Sequence, residues 1–467
     1  MYEVIGTTRG SADRHGARKP EGPGSALCRW KGFFAVLVLA AALSAFATPA
    51  SAQDGATQIV FASGPDETGT VRRIVESFNA EHAGRIQVSW REMDRDNNTH
   101  HDQLVADFAA EAEAPHVFAS DVIWSAEFAH NGWVEDLTRK FYDAHDRATF
   151  LAPALESATH RLRIWGVPWY TDVGVLFYRK DLLAASGFDA PPQTWDELAR
   201  MARQVMKDSQ IRHGLVFQGA EYEGGTANAV EYIWGAGGEI VEGKLWVTSV
   251  LRGTLEETDA VMINSAEAAA GLDMARRLIA EGVAPAAVAT FREKEALDAF
   301  LAGDAVFLRS WPYVQGMLQD SELSNGKVGV SALPGASAEQ VGYSCLGGWN
   351  LMVNAHAGKK ERAAAWELIR YLTAPAQQKR QALEAGLLPA IESLYEDPEI
   401  LAGVPIAALG KETMSTRLRV RPMSPFYPAV SSQLANAFNR VLKGELVGAE
   451  AVEELETELR AIVMRNR

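Results

Sequence analysis

Two hydrophobic periods alternate between Ile59 and Asp121, and that alternation limits the fold more than any other feature of the chain. Ile59, Val60 and Phe61 form a short continuous apolar run, the pattern of a buried strand. Val71, Ile74, Val75 and Phe78 then recur at i, i+3, i+4 and i+7, the stripe of a helix that starts near 67–70. Ile86, Val88 and Trp90 return to period two. After a polar turn at 94–99, Leu104, Val105 and Phe108 mark a second helix, and His116 to Ser120 a third strand ending at Asp121. Alternation of this kind predicts an α/β fold with a parallel sheet covered by helices on both faces. The same grammar resumes later. Val175 to Tyr178 read as a strand, Trp195 to Met206 as a helix capped by Thr194, and Gly214 to Gln218 as a strand. Helices are expected at 266–281 and 294–302, a strand at 305–308, and helices at 359–372, 375–384 and 448–464. No internal repeat or low-complexity linker interrupts the chain, so two α/β stretches joined by short crossings, with a ligand between them, are expected.

The first 52 residues follow a different logic. A basic stretch ending Arg29, Trp30, Lys31 precedes the apolar run Phe33 to Phe46, and Thr48 to Gln53 offers a small-x-small site after Ala52. That order is the one of a secretory signal peptide, residues 1–52, so an export address is expected. The apolar run is short for a membrane span, and no later segment offers about 18 consecutive apolar residues. The leader takes six basic and three acidic residues from the formal charge of −15, leaving 39 basic against 57 acidic, a net of −18. Such a surface lacks the basic footprint that phosphate neutralisation requires, so no nucleic-acid partner is expected. Cys28 lies before the apolar run, which does not suit lipid attachment, and Cys345 alone remains, so no intramolecular disulfide can form in the mature chain.

Screening for catalysis returns negatives. The chain has no G-x-x-x-x-G-K-[ST], no G-x-G-x-x-G after a strand, no H-E-x-x-H and no G-x-S-x-G. His100 and His101 are adjacent and diverge on any regular element, which does not build a metal site. Asp94, Asp96 and Asn98 begin like a calcium loop, but Thr99 stands where the loop needs Gly and Val105 where it needs Glu, so a solvated turn is expected. Cys345 reads as a buried structural thiol. No metal and no cofactor are expected. What does stand out is aromatic and acidic residues at strand ends: Trp165 to Asp172 before one strand, Asp121 after another, and Trp311, Pro312, Tyr313 after a third. Ligands of open α/β sheets collect at the carboxyl ends of strands. Aromatic faces stack on sugar C–H faces, and carboxylates and Arg match hydroxyls.

The string G-V-P-W-Y-T-D-V-G-V-L-F-Y-R-K-D-L-L at 166–183, followed by P-P-Q-T-W-D-E-L at 191–198, resembles the first crossing segment of extracellular solute-binding proteins that deliver sugars to ABC importers. F-Q-G-A-E-Y-E-G at 217–224, W-P-Y at Trp311, L-G-G-W at 346–349 and R-P-M-S-P-F-Y-P at 421–428 are similar, in the same order, to the trehalose and maltose branch. The resemblance extends over essentially the whole mature chain. It implies a two-lobed, type II, maltose-binding-protein-like periplasmic binding protein fold with a ligand cleft between lobes. Lobe I would hold 53–170 and 332–371, lobe II 171–331 and 372–467, with crossings near Tyr170, near 330–333 and near 371–374.

By the same resemblance, Glu67, Arg91, Asp121, Tyr170 and Asp172 would contact a disaccharide. Tyr222, Glu223, Trp311 as a stacking platform, and Arg421 would come from lobe II, and Gly348 and Trp349 from a G-G-W turn. The chain departs from the branch near 225–228 and 250–260. The implied role is a monomeric, non-enzymatic periplasmic protein that captures trehalose, maltose or a related α-glucoside and delivers it to a membrane permease. Two other readings stay open. One is a glycoside hydrolase using Asp121 and Asp172 as its carboxylate pair. The other keeps the fold and binds an oligosaccharide or a glycosyl-polyol; an iron complex would want clustered Tyr and His, whereas the Tyr here are interleaved with Trp and Gly.

Overall fold

The computed structural model describes residues 55–241, 261–318, 321–324 and 326–466. The expected signal peptide and the loop at 250–260 lie outside the described residues.

Around a first, seven-stranded sheet the chain runs β1 (Thr57–Ser63), α1 (Thr70–Glu81), β2 (Ile86–Glu92), α2 (Asn97–Ala109), β3 (Val117–Asp121) and β4 (Gly166–Val173). It then builds a four-stranded sheet with β5 (Val175–Arg179), α3 (Trp195–Ser209), β6 (His213–Val216), α4 (Glu223–Gly235), α5 (Ala266–Ala280), α6 (Glu293–Leu301), β7 (Ala305–Ser310) and β8 (Val328–Ser331). It returns to the first sheet through β9 (Ser344–Val353), α7 (Lys359–Leu372), α8 (Pro375–Ala385), β10 (Leu388–Pro389), α9 (Ile406–Thr416) and β11 (Leu418–Arg419). Helices α10 (Tyr427–Lys443) and α11 (Gly448–Arg465) close the chain. Strand order is β10-β4-β9-β3-β1-β2, with β11 beside β9, in the first sheet, and β8-β5-β7-β6 in the second.

The local signals act as expected. The stripe Val71, Ile74, Val75 and Phe78 is the buried face of α1, and Thr194 caps α3 by accepting from the Glu197 N–H at 3.2 Å. Parallel pairing holds only for part of each sheet. β1 is parallel to β2 and β3, whereas β9 is antiparallel to both β3 and β4, and β5 is antiparallel to β7. The reason is topological: a strand returning from the other sheet enters from the opposite end. The segment 166–173, expected to lead into a strand, is itself one, covered on both faces.

Two expected boundaries are corrected. The chain does not cross at 371–374, and 372–419 does not belong with the second sheet. β10 pairs with β4, Leu388 facing Thr171, and β11 pairs with β9, Ser344 facing Leu418. Leu388, Ile391, Ile400 and Ile406 share a core with Phe61 and Val167. Only after Arg419 does the chain leave, and α10 and α11 then pack with α4 and α5 around Phe438, Leu455 and Ile233. An apolar helix stripe shows that a helix is buried, not against which sheet; the strands that decide it are two residues long.

Gly174, between β4 and β5, is where the chain first changes sheets. A Cβ there would lie 2.1 Å from Glu231 Oε1 and 2.7 Å from an Arg309 nitrogen, inside a buried ion pair. Overpacking of this kind costs about 1–3 kcal/mol. Gly174→Ala is therefore expected to lower the urea midpoint by that order without changing the slope; an unchanged midpoint would show that the pair can move aside.

Candidate functional site

Register builds the floor of the site. Trp349 on β9 faces Asp121 on β3 to one side and Tyr170 on β4 to the other, and Gly347 faces Asp172. Three neighbouring strands thus bring Asp121, Trp349, Tyr170 and Asp172 to one end of the first sheet. The expected G-G-W turn is instead part of strand β9. Gly348 has φ 118° and a bulge follows at Trp349, a conformation that favours Gly. At Gly347 a Cβ would stand 2.9 Å from the Trp311 ring, so the missing side chain lets that indole lie close over the strand.

These residues line a cavity of about 220 Å³. From the first-sheet side come Glu67, Arg95, Asn97, His100, Asp121, Tyr170, Asp172, Gly348 and Trp349, and from the second-sheet side Glu223, Glu293, Trp311 and Tyr313, with Arg421 from the segment after β11. Nine of the eleven expected residues meet there. Two do not. Arg91, on edge strand β2, turns toward α2 and pairs with Asp107 at 2.6 Å; the arginine that lines the cavity is Arg95, which pairs with Glu67. Tyr222 is buried beneath Arg292, whose guanidinium lies 4.5 Å from the ring centre.

Several contributors are absent from the expected set. The supposed solvated turn at 94–99 is half site and half helix start: Asp96 caps α2 by accepting from the Thr99 N–H at 3.0 Å, Arg95 lines the cavity, and Asn97 donates to Asp121 at 2.8 Å. Its cluster of Asp and Asn was the available signal. His100 stacks on Trp349 with ring centres 5.0 Å apart and meets Trp124 edge-on. Burial, then the charges of His101 and Arg91, pull its pKa down to about 3, so it is a neutral ring supporting the Trp349 platform. Trp311 is backed likewise by the Arg309 guanidinium, 4.2 Å from its ring centre.

The carboxylates divide into satisfied and unsatisfied groups. Glu223 accepts from Arg421, from the Tyr427 hydroxyl at 2.7 Å and from the Ser431 hydroxyl at 2.5 Å. Arg421 also donates to the Leu346 carbonyl at 2.8 Å and stands 3.8 Å from Asp121. Asp172 has no protein partner for Oδ1, and the same holds for Trp169 Nε1, His100 Nε2 and Arg421 Nε, all on cavity-lining residues. Burial, reinforced by the Asp121 charge and opposed by Arg309, holds the Asp172 carboxyl well above the ordinary range. Burial likewise pushes Asp121 up to about 6, against the pull of Arg421. Among the described residues no group of three or more His, Cys, Asp or Glu is arranged to hold a metal ion, and no helix is long and apolar enough to cross a membrane.

Residues 64–379 match the family of bacterial extracellular solute-binding proteins. The chain belongs to that family. It is 33% identical over 362 residues to a probable ABC transporter-binding protein of Deinococcus radiodurans, covering 76% of this chain and 81% of that one. A maltotriose-binding protein of Pyrococcus abyssi is 24% identical over 71% of this chain and 66% of its own. The solved structure of maltose-bound MalE3 from T. maritima superposes with a TM-score of 0.79 at 34% identity, over 87% of this chain and 99% of that one. The fold is accordingly the two-lobed, type II, maltose-binding-protein-like one, and as a solute-binding protein of this extracellular family the chain acts outside the cytoplasm.

The raised carboxyls fix a pH dependence. A group that holds its proton more tightly folded than unfolded adds stability at low pH, and that stability is lost as pH rises from about 4 through its folded pKa. For Asp121 the window closes near 6; for Asp172 it extends upward. Asp172→Asn, neutral at every pH, is expected to raise the melting temperature of the unliganded protein at pH 7 by a degree or more and to flatten its decline between pH 5 and 7. A lower melting temperature at pH 7 would mean that the ionised carboxylate is stabilised there.

Proposed function

We propose that this protein is the sugar-capturing component of an ABC importer, closing two lobes over a disaccharide such as maltose, trehalose or a related α-glucoside and presenting it to the membrane permease. One observation carries the reading: the buried polar atoms without protein partners at the cavity include an acceptor, Asp172 Oδ1, and donors, Trp169 Nε1–H and Arg421 Nε–H, beside the two aromatic faces of Trp311 and Trp349. Each such atom costs about 1–3 kcal/mol unless matched. A neutral polyhydroxylated ring offers donors, acceptors and apolar C–H faces together.

Charge narrows the class. Seven carboxylates line the cavity, Asp66, Glu67, Asp94, Asp121, Asp172, Glu223 and Glu293, against the two arginines Arg95 and Arg421, each already paired with a carboxylate. Phosphorylated sugars and uronic acids would meet repulsion with no free cation among the described residues to receive them. The maltose-bound and maltotriose-binding relatives point the same way. In this reading the first lobe comprises the elements of the seven-stranded sheet, 57–173 and 344–419, and the second the elements of the four-stranded sheet with α10 and α11. The protein works as a monomer in the periplasm after losing residues 1–52, and it binds without catalysis.

The test is calorimetry of residues 53–467 against maltose, trehalose, sucrose, maltotriose, glucose 6-phosphate and glucuronate, after a thermal-shift screen. A sugar at about 100 times its Kd adds roughly 2.7 kcal/mol. Binding of at least one neutral α-glucoside and of neither anion is expected, with the sugar recovered intact; released glucose would move the reading to a hydrolase. Trp311→Ala and Asp172→Ala are each expected to cut affinity at least tenfold while the fold is kept, and wild-type affinity in either would remove that residue from the site.

A further inference from the structure

The start of α2 on the first lobe touches the start of α4 and of α6 on the second. Helix α4 begins at Glu223, and its preceding residue Tyr222 gives no side-chain cap. The Glu223 N–H is instead received by Asn98 Oδ1 of the opposite lobe at 3.1 Å. Two residues earlier, Asp96 divides its carboxylate. Oδ1 caps its own helix by accepting from the Thr99 N–H and hydroxyl, at 3.0 and 2.9 Å, and Oδ2 forms an ion pair with Arg292 of the opposite lobe. Arg292 is held for that role by its stacking on Tyr222 at 4.5 Å, and its own N–H donates to Glu295 at 2.9 Å. Asp96, Asn98 and Arg292 do not line the cavity.

We infer that Asp96, Asn98 and Arg292 form a latch that holds the lobes together, so that they set how long a captured solute stays without choosing which solute enters. Opening the cleft would take from α4 the side-chain cap at Glu223 N and separate a charge pair, two costs that fall on the open form alone. A contact made only in the closed form multiplies apparent affinity and slows release, leaving association and selectivity unchanged. The seam also bears on the cavity indirectly, because α4 carries Glu223, which clamps Arg421.

The inference rests on the proposed closing over a sugar, and its test separates the two. The probe is maltose, with trehalose as a second sugar, followed by stopped-flow tryptophan fluorescence. Arg292→Gln and Asn98→Ala are each expected to speed dissociation by about two- to tenfold, the range of an exposed ion pair or a helix cap. Association rates and the ratio of the two affinities should stay as in wild type. Asp96→Asn, whose amide oxygen still caps α2, should act like Arg292→Gln, and Arg292→Lys should recover most of the wild-type rate. Wild-type dissociation from folded Arg292→Gln and Asn98→Ala would overturn the latch, as would a changed ratio of affinities. Should wild type bind none of the neutral α-glucosides of the panel, the proposed function fails on its own account. The latch is then judged by small-angle scattering of the unliganded protein, where the radius of gyration must rise from wild type to both variants, and equal radii would overturn it.

Discussion

A buried ion pair at the crossing point holds this architecture in register. Arg309 donates to both oxygens of Glu231 at 2.6 and 2.7 Å, and both side chains are almost fully buried. Glu231 belongs to α4 and Arg309 to β7, yet the same carboxylate also receives the Cys345 N–H at 3.2 Å, where β9 re-enters the first sheet. Gly174 presses against it, and the Gly174 carbonyl accepts from the Ser344 hydroxyl at 2.5 Å. Two of the three crossings therefore meet on one carboxylate. Removing one member of such a pair leaves a buried charge and costs about 3–5 kcal/mol, whereas a matched apolar replacement can be neutral. The pair thus specifies where the crossings sit more than it supplies net stability. Because Arg309 also backs Trp311, that specification reaches the cavity wall within one residue layer.

The cavity spends its charges in two ways, and the difference separates structure from recognition. Glu223 accepts from Arg421, Tyr427 and Ser431, so it orients Arg421. Asp172 and Asp121 are the reverse case. They are buried and held toward their neutral forms, and Asp172 Oδ1 has no protein partner, whereas Asp121 is matched by Asn97 and the Ile123 N–H. A polar group left in that condition destabilises the unliganded protein and is relieved when a hydroxyl arrives, which is how a site stores binding energy. That cost is tolerable because the cores on either side are extensive and continuous.

Much of this was legible in the sequence, and the failures have physical causes. Period-two and period-3.6 apolar patterns located β1, α1, β2, α3 and α11 because each has one dominant buried face. Motif resemblance brought Asp121, Tyr170, Asp172, Trp311, Trp349 and Arg421 to one cavity. It failed at Arg91 because one residue of a strand decides which face a side chain takes, and Arg91 took the face toward α2. It failed at 372–419 because β10 and β11 are two-residue strands whose pairing is long-range and carries no local signal. The turn at 94–99 was read as solvated, and Asp94, Arg95, Asn98 and Thr99 are exposed; its share in the cleft wall was hidden because polar composition is the same for a surface loop and for a cleft wall. Only the opposite lobe, which supplies Arg292 and the Glu223 N–H, distinguishes them.

Hinge, platform and cavity rim are therefore mechanically continuous. Helix α4 carries Glu231 at the crossing and, two helical turns earlier, Glu223 at the cavity. Its first N–H is received by Asn98 from the far lobe. The rim N–H and the carboxylate that orients Arg421 belong to one residue, Glu223, which moves together with Glu231 on one rigid helix. Arg421, in turn, sits on the third crossing and donates to the Leu346 carbonyl of β9. The Arg421, Asp121 and Asp172 group is thus built from strands β3 and β4 and from the crossing segment before α10, and a solute that matches those groups favours the form of the protein in which they stand together.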